Sequence, residues 1–320
     1  MLFKKGYNIY HMKKRVRVVL GLLLIVATII VFTLYVSSHT RLLQALTRIS
    51  PFTVVWLLVL YGAWLGGLIL ILHAALYMCR YTISIEENIL LNAYSTLTNF
   101  FVPGQGGIAV RGVYLKKRHQ LRIRDYVTSM LLYYACYALV SACMLLIPSR
   151  SWGQSVSGIL IVGGAVYIGI RWYMKRLHAQ KDGLNIGLPS ITYLLVVTLV
   201  QAFVQVVIYA VELHSVNRSI SLGQVVTYTG AANFALFVAL TPGAIGIRES
   251  FLVFSRSLHH ISTANIVDAS IIDRAVFFVF LGLLFVMTVL LHAKNKVQVE
   301  KSSITQQNKF HTPLSIDGEK

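Results

Sequence analysis

Two arginines, Arg111 and Arg248, each follow a Pro-Gly-x-x-Gly segment that interrupts a hydrophobic stretch. The first segment is Pro103-Gly104-Gln105-Gly106-Gly107 and the second is Pro242-Gly243-Ala244-Ile245-Gly246. A guanidinium can hold a phosphate or a carboxylate through two parallel hydrogen bonds. Gly104, Gly106 and Gly107 leave backbone N–H groups bare, so they can join in an anion nest. Arg111 also opens the basic run that ends at Arg124, and a side chain snorkelling to the interface is the alternative reading. Arg248 stands beside Glu249, and Asp273 and Arg274 lie at the mouth of a later apolar run. Adjacent helical residues point about 100° apart, so Arg248 and Glu249 need not pair with each other. Charges at membrane depth pair with one another or with backbone. Arg111, Arg248, Glu249, Asp273 and Arg274 are therefore the candidate binding residues. The second group reads either as a site for a charged headgroup or as an ion-pair network that holds its segment.

These residues need elements to position them, and the uncharged runs mark those elements. Spans are expected at Val18–Val36, Phe52–Met78, Tyr126–Ile147, Gly153–Ile170, Ile191–Val211 and Ala275–Leu291. Two further runs, Asn88–Val110 and Ser219–Ile247, each contain one of the breaks. Breaks at membrane depth are tolerated where the backbone is buried in protein or lines a polar cavity. The positive-inside rule decides between hairpins and full spans. If both runs turn back, 22 of the 29 Lys+Arg fall on the cytoplasmic side with the N-terminus; if both span, the bias vanishes. The hairpin arrangement places the units at about 52–147 and 191–291 in opposite orientations, the plan of an inverted repeat. The expected fold is an all-α integral membrane protein with about six transmembrane helices plus two re-entrant hairpins. Residues 1–17 form a basic cytoplasmic N-terminus, 18–293 the membrane domain, and 294–320 a disordered cytoplasmic tail. The first run is long for a cleaved signal segment and lacks an A-x-A site, so it is read as a retained span.

Composition narrows the classes. The 320 residues are 56% hydrophobic and 12% charged, half the charged share of an ordinary soluble domain. The formal net charge of +18 sits in short loops between spans, where it reports topology and contact with anionic headgroups. No basic soluble module for nucleic acid is present. Cys79, Cys136 and Cys143 are odd in number and lack CxxC spacing, so they read as apolar fillers. His73 has no second ligand at metal spacing, and His259 and His260 face different ways; no metal site and no cofactor is expected. No GxSxG, P-loop or HExxH motif occurs, and no catalysis is expected. Asn99 and Asn233 precede the breaks and are expected to satisfy freed backbone groups. Gln201 and Gln205 share a face and are expected to bond neighbouring helices.

The pattern Asn99-x3-Pro103-x3-Gly107-x3-Arg111, with Thr241-Pro242-Gly243-Ala244-Ile245-Gly246-Ile247-Arg248-Glu249, resembles the flippase-like family defined by the membrane region of lysylphosphatidylglycerol synthase, also called multiple peptide resistance factor. The resemblance runs from about the first span to the last. It implies a multi-pass protein of a bacterial or archaeal inner membrane, with both termini cytoplasmic. It also implies translocation of an anionic or aminoacylated phospholipid, or of a polyprenyl-linked glycolipid, between leaflets. Two positions depart from the family pattern: Ile108 stands where an acidic residue is frequent, and Ala244 stands for the second glycine of a Pro-Gly-Gly. The soluble aminoacyl-transfer domain of the full-length synthases is not expected here. The competing expectation is a non-catalytic accessory subunit of a cell-envelope glycosyltransferase or lipid-modifying enzyme. The expected partner is a membrane phospholipid or lipid-linked glycan; a homo-oligomer or an envelope-enzyme partner stays open.

Overall fold

A computed structural model describes residues 49–101, 106–146, 168, 184–237 and 247–310, with side chains as far as Leu291. The expected spans at 18–36 and 153–170 lie outside the described residues, Ile168 excepted, as do Pro103, Gly104, Pro242, Gly243 and Gly246. Among the described residues every regular element is helical. The helices are α1 (Pro51–Met78), α2 (Ile85–Phe101), α3 (Gly106–His119), α4 (Ile123–Leu146), α5 (Leu188–Val216), α6 (Leu222–Phe237), α7 (Ile247–Phe254), α8 (Arg256–His259) and α9 (Thr263–Phe310). All of them belong to one compact unit, Pro51–Lys320.

Local chemistry sets the helix ends. Pro51 opens α1, where its missing N–H costs no hydrogen bond. Ser84 Oγ accepts the Glu87 N–H at 3.2 Å and caps α2, whose first turn carries Glu86 and Glu87. Lys116, Lys117, Arg118 and His119 crowd the last turn of α3. Acids at an N-terminus and cations at a C-terminus both complement the helix dipole. Ser221 and Gln224 form a capping box at α6: Gln224 Oε1 accepts the Ser221 N–H at 2.9 Å, and Ser221 Oγ accepts the Gln224 N–H at 3.4 Å. Arg80 and Gln120 sit just past helix ends with φ of 58° and 55°, in the left-handed region that stops a helix.

Among the described residues, four helices are long and apolar enough to cross a membrane: α1, α4, α5 and the Thr263–Leu291 part of α9. They present large apolar side chains outward, among them Phe52, Val59, Phe203, Leu283 and Leu290. Small residues face inward: Ala74 and Ala75 on α1, Ala202 on α5, Ala269 and Ala275 on α9 are almost fully buried. That distribution suits helices packed in lipid, where close backbone approach replaces the hydrophobic drive of water. α9 carries on through the polar residues from Lys294 to Phe310, which the sequence reading assigns to a disordered tail. No Gly or Pro interrupts that stretch.

Residue pairs give the helix directions. Along α1 and α5, Tyr61 meets Glu212, His73 meets Tyr193, and Met78 O accepts from the Asn185 N–H at 2.8 Å, so the two helices run antiparallel. Tyr133 and Tyr137 of α4 share a cluster with Leu194 and Val197 early in α5, Tyr137 Oη donates to Gln205 Oε1 midway, and Leu145 packs on the cluster that holds Tyr209 and Leu213 late in α5, so α4 and α5 run parallel. Ile266, near the start of α9, packs with Leu213, near the end of α5. The order long helix, short helix, break, short helix, long helix thus occurs twice, with opposite direction. Three pairs of positions in the two series share one spacing: Pro51 and Leu188, Ile85 and Leu222, and Arg111 and Arg248 are each 137 residues apart, whereas Pro103 and Pro242 are 139 apart.

α2 and α3 lie antiparallel. Gly107 meets Ser95 and Asn99, Arg111 meets Asn92, and Tyr114 and His119 meet Glu87. Near the break, Phe100 packs on Phe277 and Phe278 of α9. Phe277 also packs on Tyr61 and Trp64 of α1. Trp64 and Phe277 sit midway along their spans. The C-terminal end of α2 at Phe100 therefore reaches the middle of the helical layer.

Among the described residues, Gly107 and Gly230 allow the closest approaches to another segment's backbone. A Cβ at Gly107 would stand 2.3 Å from Ser95 O, and one at Gly230 of α6 would stand 2.5 Å from Leu145 N and 2.8 Å from Ser141 O of α4. Backbone on both sides leaves no flexible atom to move aside. Gly230→Ala is expected to destabilise the protein by about 1–3 kcal/mol, as overpacking does. Gly62→Ala, where a Cβ meets nothing within 4 Å, is expected to be neutral or slightly stabilising. Thermal unfolding of both variants in detergent measures the difference.

Candidate functional site

A buried ionic cluster lies where α7 meets α9. Arg248 lies in the first turn of α7, 6% exposed. Its Nη2 donates to Asp273 Oδ2 of α9, and its Nη1 donates to Tyr209 Oη of α5 at 3.5 Å. Arg248 Nε stands 3.7 Å from Glu249 Oε1 and has no hydrogen-bond partner. Arg274 Nη2 and Nε donate to the same Glu249 oxygen at 3.0 and 3.3 Å. Tyr61 Oη reaches two carboxylates, Asp273 Oδ1 at 2.6 Å and Glu212 Oε1 at 3.1 Å. Arg248, Glu249, Asp273 and Arg274, four of the five sequence candidates, thus come together in one cluster that joins α1, α5, α7 and α9.

Sequence reasoning missed Glu212, Tyr61 and Tyr209. Glu212 is 1% exposed and lies just past the expected end of its span at Val211. A lone acid against a long apolar run was the available signal. Nothing in sequence marked the two tyrosines.

Arg111 stands apart from that cluster, buried between α2 and α3 at 7% exposure. Its Nη1 donates to Asn92 Oδ1 at 3.1 Å, and its Nε has no partner. Asn92 Nδ2 donates to Asn88 Oδ1 at 2.7 Å, and Asn88 Nδ2 donates to Ile69 O at 3.1 Å. No carboxylate lies within ion-pair distance of Arg111 among the described residues. Asn92, Ser95 and Asn99 recur every three or four residues, so α2 turns one polar face to α3. Asn99 Oδ1 accepts the Gly107 N–H at 2.7 Å. Ser95 Oγ and Thr96 Oγ1 are buried without hydrogen-bond partners. On α6 the Asn233 amide is fully buried, and neither its nitrogen nor its oxygen has a partner. Buried polar atoms are normally satisfied, and here the exceptions gather mainly in the two hairpins. Gln201 and Gln205 bond neighbouring helices. Gln205 Oε1 accepts from Tyr137 Oη at 3.0 Å. The Gln201 amide, oriented to satisfy both of its ends, accepts from Trp64 Nε1 at 2.8 Å and donates to Trp64 O at 3.2 Å.

The base of the first hairpin is tied by Glu87. Its Oε1 accepts from Tyr114 Oη at 2.7 Å and lies 2.7 Å from His119 Nε2. Partial burial pulls the Glu87 carboxyl upward, but these hydrogen bonds and the charges of His119 and Arg118 outweigh it and hold it below its ordinary value. Burial, then the bond to Glu87, pushes the Tyr114 hydroxyl up to about 12.

Residues 18–284 match the lysylphosphatidylglycerol synthase TM region family. The chain belongs to this family. No curated protein matches it closely enough to count as a relative. Membership agrees with the resemblance carried by the two Pro-Gly segments, and it associates this membrane-spanning helical protein with lipid.

Two predictions follow from the charges. Asp273→Asn leaves Arg248 buried beside a neutral amide and is expected to cost about 3–5 kcal/mol; adding Arg248→Gln should recover part of that loss, read by thermal unfolding of both variants. Because Glu87 is held below its ordinary value, its tie is at full strength above the ordinary carboxylate range and is lost as pH falls through the lowered value. The difference in melting temperature between wild type and Glu87→Gln should therefore be largest near neutral pH and disappear in acid.

Proposed function

We propose that this protein is a lipid translocase that carries an anionic headgroup between leaflets. The substrate class is a phospholipid, anionic or aminoacylated, or a polyprenyl-linked glycolipid. The carrying observation is Arg111: a buried guanidinium with an open Nε, no carboxylate partner among the described residues, and unpartnered hydroxyls on the adjoining helix. A phosphate supplies the missing charge and accepts from several donors at once. In this reading Arg111 holds the phosphate, while Ser95 and Thr96 donate to its remaining oxygens. The acyl or prenyl tails stay in lipid as the headgroup crosses the protein interior.

The membrane arrangement is part of the proposal. The protein has about six spans and two re-entrant hairpins in an inverted repeat. Three observations support it: the opposed helix order, the end of α2 at mid-layer, and the parallel run of α4 and α5. Two successive parallel spans require a crossing between them, and the uncharged run at 153–170 is long enough to supply it. Arg248, Glu249, Asp273 and Arg274 hold the second hairpin in this state, and they form a second station for the headgroup when their pairs open. The protein lies in the cytoplasmic membrane with both termini inside and acts without covalent catalysis.

Leaflet exchange of fluorescent phosphatidylglycerol in proteoliposomes tests this reading. Exchange above empty liposomes is expected for the wild-type chain. Arg111→Gln should lower the rate about ten- to hundredfold, the loss of a charge-assisted hydrogen bond, with little change in melting temperature. Exchange equal to empty liposomes, for this lipid and for a polyprenyl-phosphate lipid, would overturn it.

A further inference from the structure

The ionic cluster holds more acids than arginines. Glu212, Glu249 and Asp273 face Arg248 and Arg274. Arg274 engages Glu249, and Arg248 engages Asp273. Glu212 is the acid left over: it is 1% exposed and has no cationic partner within ion-pair distance among the described residues. An uncompensated carboxylate at that depth costs several kcal/mol or more, and such a group becomes neutral instead.

Hydrogen-bond counting leads independently to the same place. Tyr61 Oη lies 3.1 Å from Glu212 Oε1 and 2.6 Å from Asp273 Oδ1. A phenol has one proton to donate, and ionised carboxylates only accept. The hydroxyl proton lies on the 2.6 Å contact to Asp273, so a full hydrogen bond along the 3.1 Å contact to Glu212 needs a proton of its own. Asp273 is paired with Arg248, which keeps it ionised. The extra proton therefore belongs to Glu212, whose O–H donates to Tyr61 Oη while Tyr61 donates to Asp273.

We propose that Glu212 is a proton-binding site and that Tyr61 relays its proton to Asp273, releasing Arg248 for an anion. In the relay step the Glu212 O–H and Tyr61 O–H bonds break, while a new Tyr61 O–H and an Asp273 O–H form. One proton moves from Glu212 to Asp273 and no electrons are exchanged. Asp273 becomes neutral and no longer holds the guanidinium as an ion pair, so Arg248 can turn to a phosphate. The groups around Glu212 are Tyr61 from α1, Tyr209 on its own helix, Tyr228 from α6, Arg248 from α7 and Asp273 from α9. His214 is engaged with Ala210 O at 2.7 Å. The proposal extends the translocase reading by giving it a coupling ion, the proton, but its first test does not depend on transport.

That test is infrared spectroscopy of the full chain in nanodiscs at neutral pH. A carbonyl band of a protonated carboxylic acid is expected, shifting in D2O and absent in Glu212→Gln. In Tyr61→Phe the band should persist at a changed frequency, because its hydrogen-bond acceptor is gone. That variant keeps the test decisive if Glu212→Gln does not fold. Absence of the band in wild type, or its survival in a folded Glu212→Gln, overturns the proposal. So does a rise in melting temperature with sodium that Glu212→Gln abolishes, since a metal cation would then occupy the pair. Proteoliposomes address the coupling: a pH gradient should speed wild-type lipid exchange severalfold and leave Glu212→Gln unaffected. A gradient response that survives Glu212→Gln would overturn the coupling. Absence of exchange in every arm, with the band present, would count against the translocase reading and leave the proton site standing.

Discussion

The contact between Arg248 and Asp273 is the constraint on which the rest of the structure depends. Burying either charge alone at this depth is far more costly than any single packing contact can offset. The pair is therefore tolerated only if α7 and α9 meet in one register. Tyr61 and Tyr209 then tie α1 and α5 to the same point by hydrogen bonds to Asp273 and from Arg248. Four helices distant in sequence are fixed relative to one another by a few polar atoms. Packing alone would not do this, because small residues along lipid-embedded helices allow several sliding registers of similar energy. The ion pair selects one of them.

The first hairpin solves the same problem with different chemistry. Its helices are joined by amides: Asn99 on the Gly107 N–H, Asn92 on Arg111, and Asn88 on Ile69 O. At the spacing of 137 residues that relates the two arginines, Glu212 and Glu249 correspond to Ala75 and Gly112, and α4 has no acid after Asp125. The frame repeats while the counter-ions do not. One arginine is neutralised within the protein, and the other keeps an unspent positive charge. A wholly symmetric chain would have either two locked arginines or two unpaired ones.

Four of the six expected spans and the burial of charge at Arg111 and Arg248 were legible in sequence, because both rest on local facts: runs of apolar residues, helix breakers and charges out of place. Asp273 and Arg274 were legible as partners because charges at membrane depth must pair. The correct pairing, Arg248 with Asp273 and Arg274 with Glu249, was not, since it depends on how α7 lies against α9. Glu212 was missed because an acid at the end of an apolar run reads as the helix reaching water, whereas α5 continues to Val216 and buries it. Tyr61 and Asn92 were invisible for a related reason. A tyrosine or asparagine has no conspicuous cost in a helix until the fold decides what it faces.

The unpartnered polar atoms carry this difference between the hairpins into function. Water is scarce at the depth the first hairpin reaches, so Ser95, Thr96 and the Arg111 Nε cannot all be satisfied by solvent as they would be on a soluble protein. Left empty, they destabilise the state in which they occur. Under the proposed function, a headgroup phosphate that fills the site would satisfy them together, so its binding energy would be spent on this conformation in preference to others. A ligand can shift a conformational equilibrium only by its difference in affinity between states. Polar atoms that protein partners leave unsatisfied are a direct source of such a difference. The second hairpin, held by internal pairs, has no comparable incentive to bind until one of those pairs is neutralised. In the proposed function, two arginines at matched positions would act in sequence on one substrate, because among the described residues only one of them has a counter-ion.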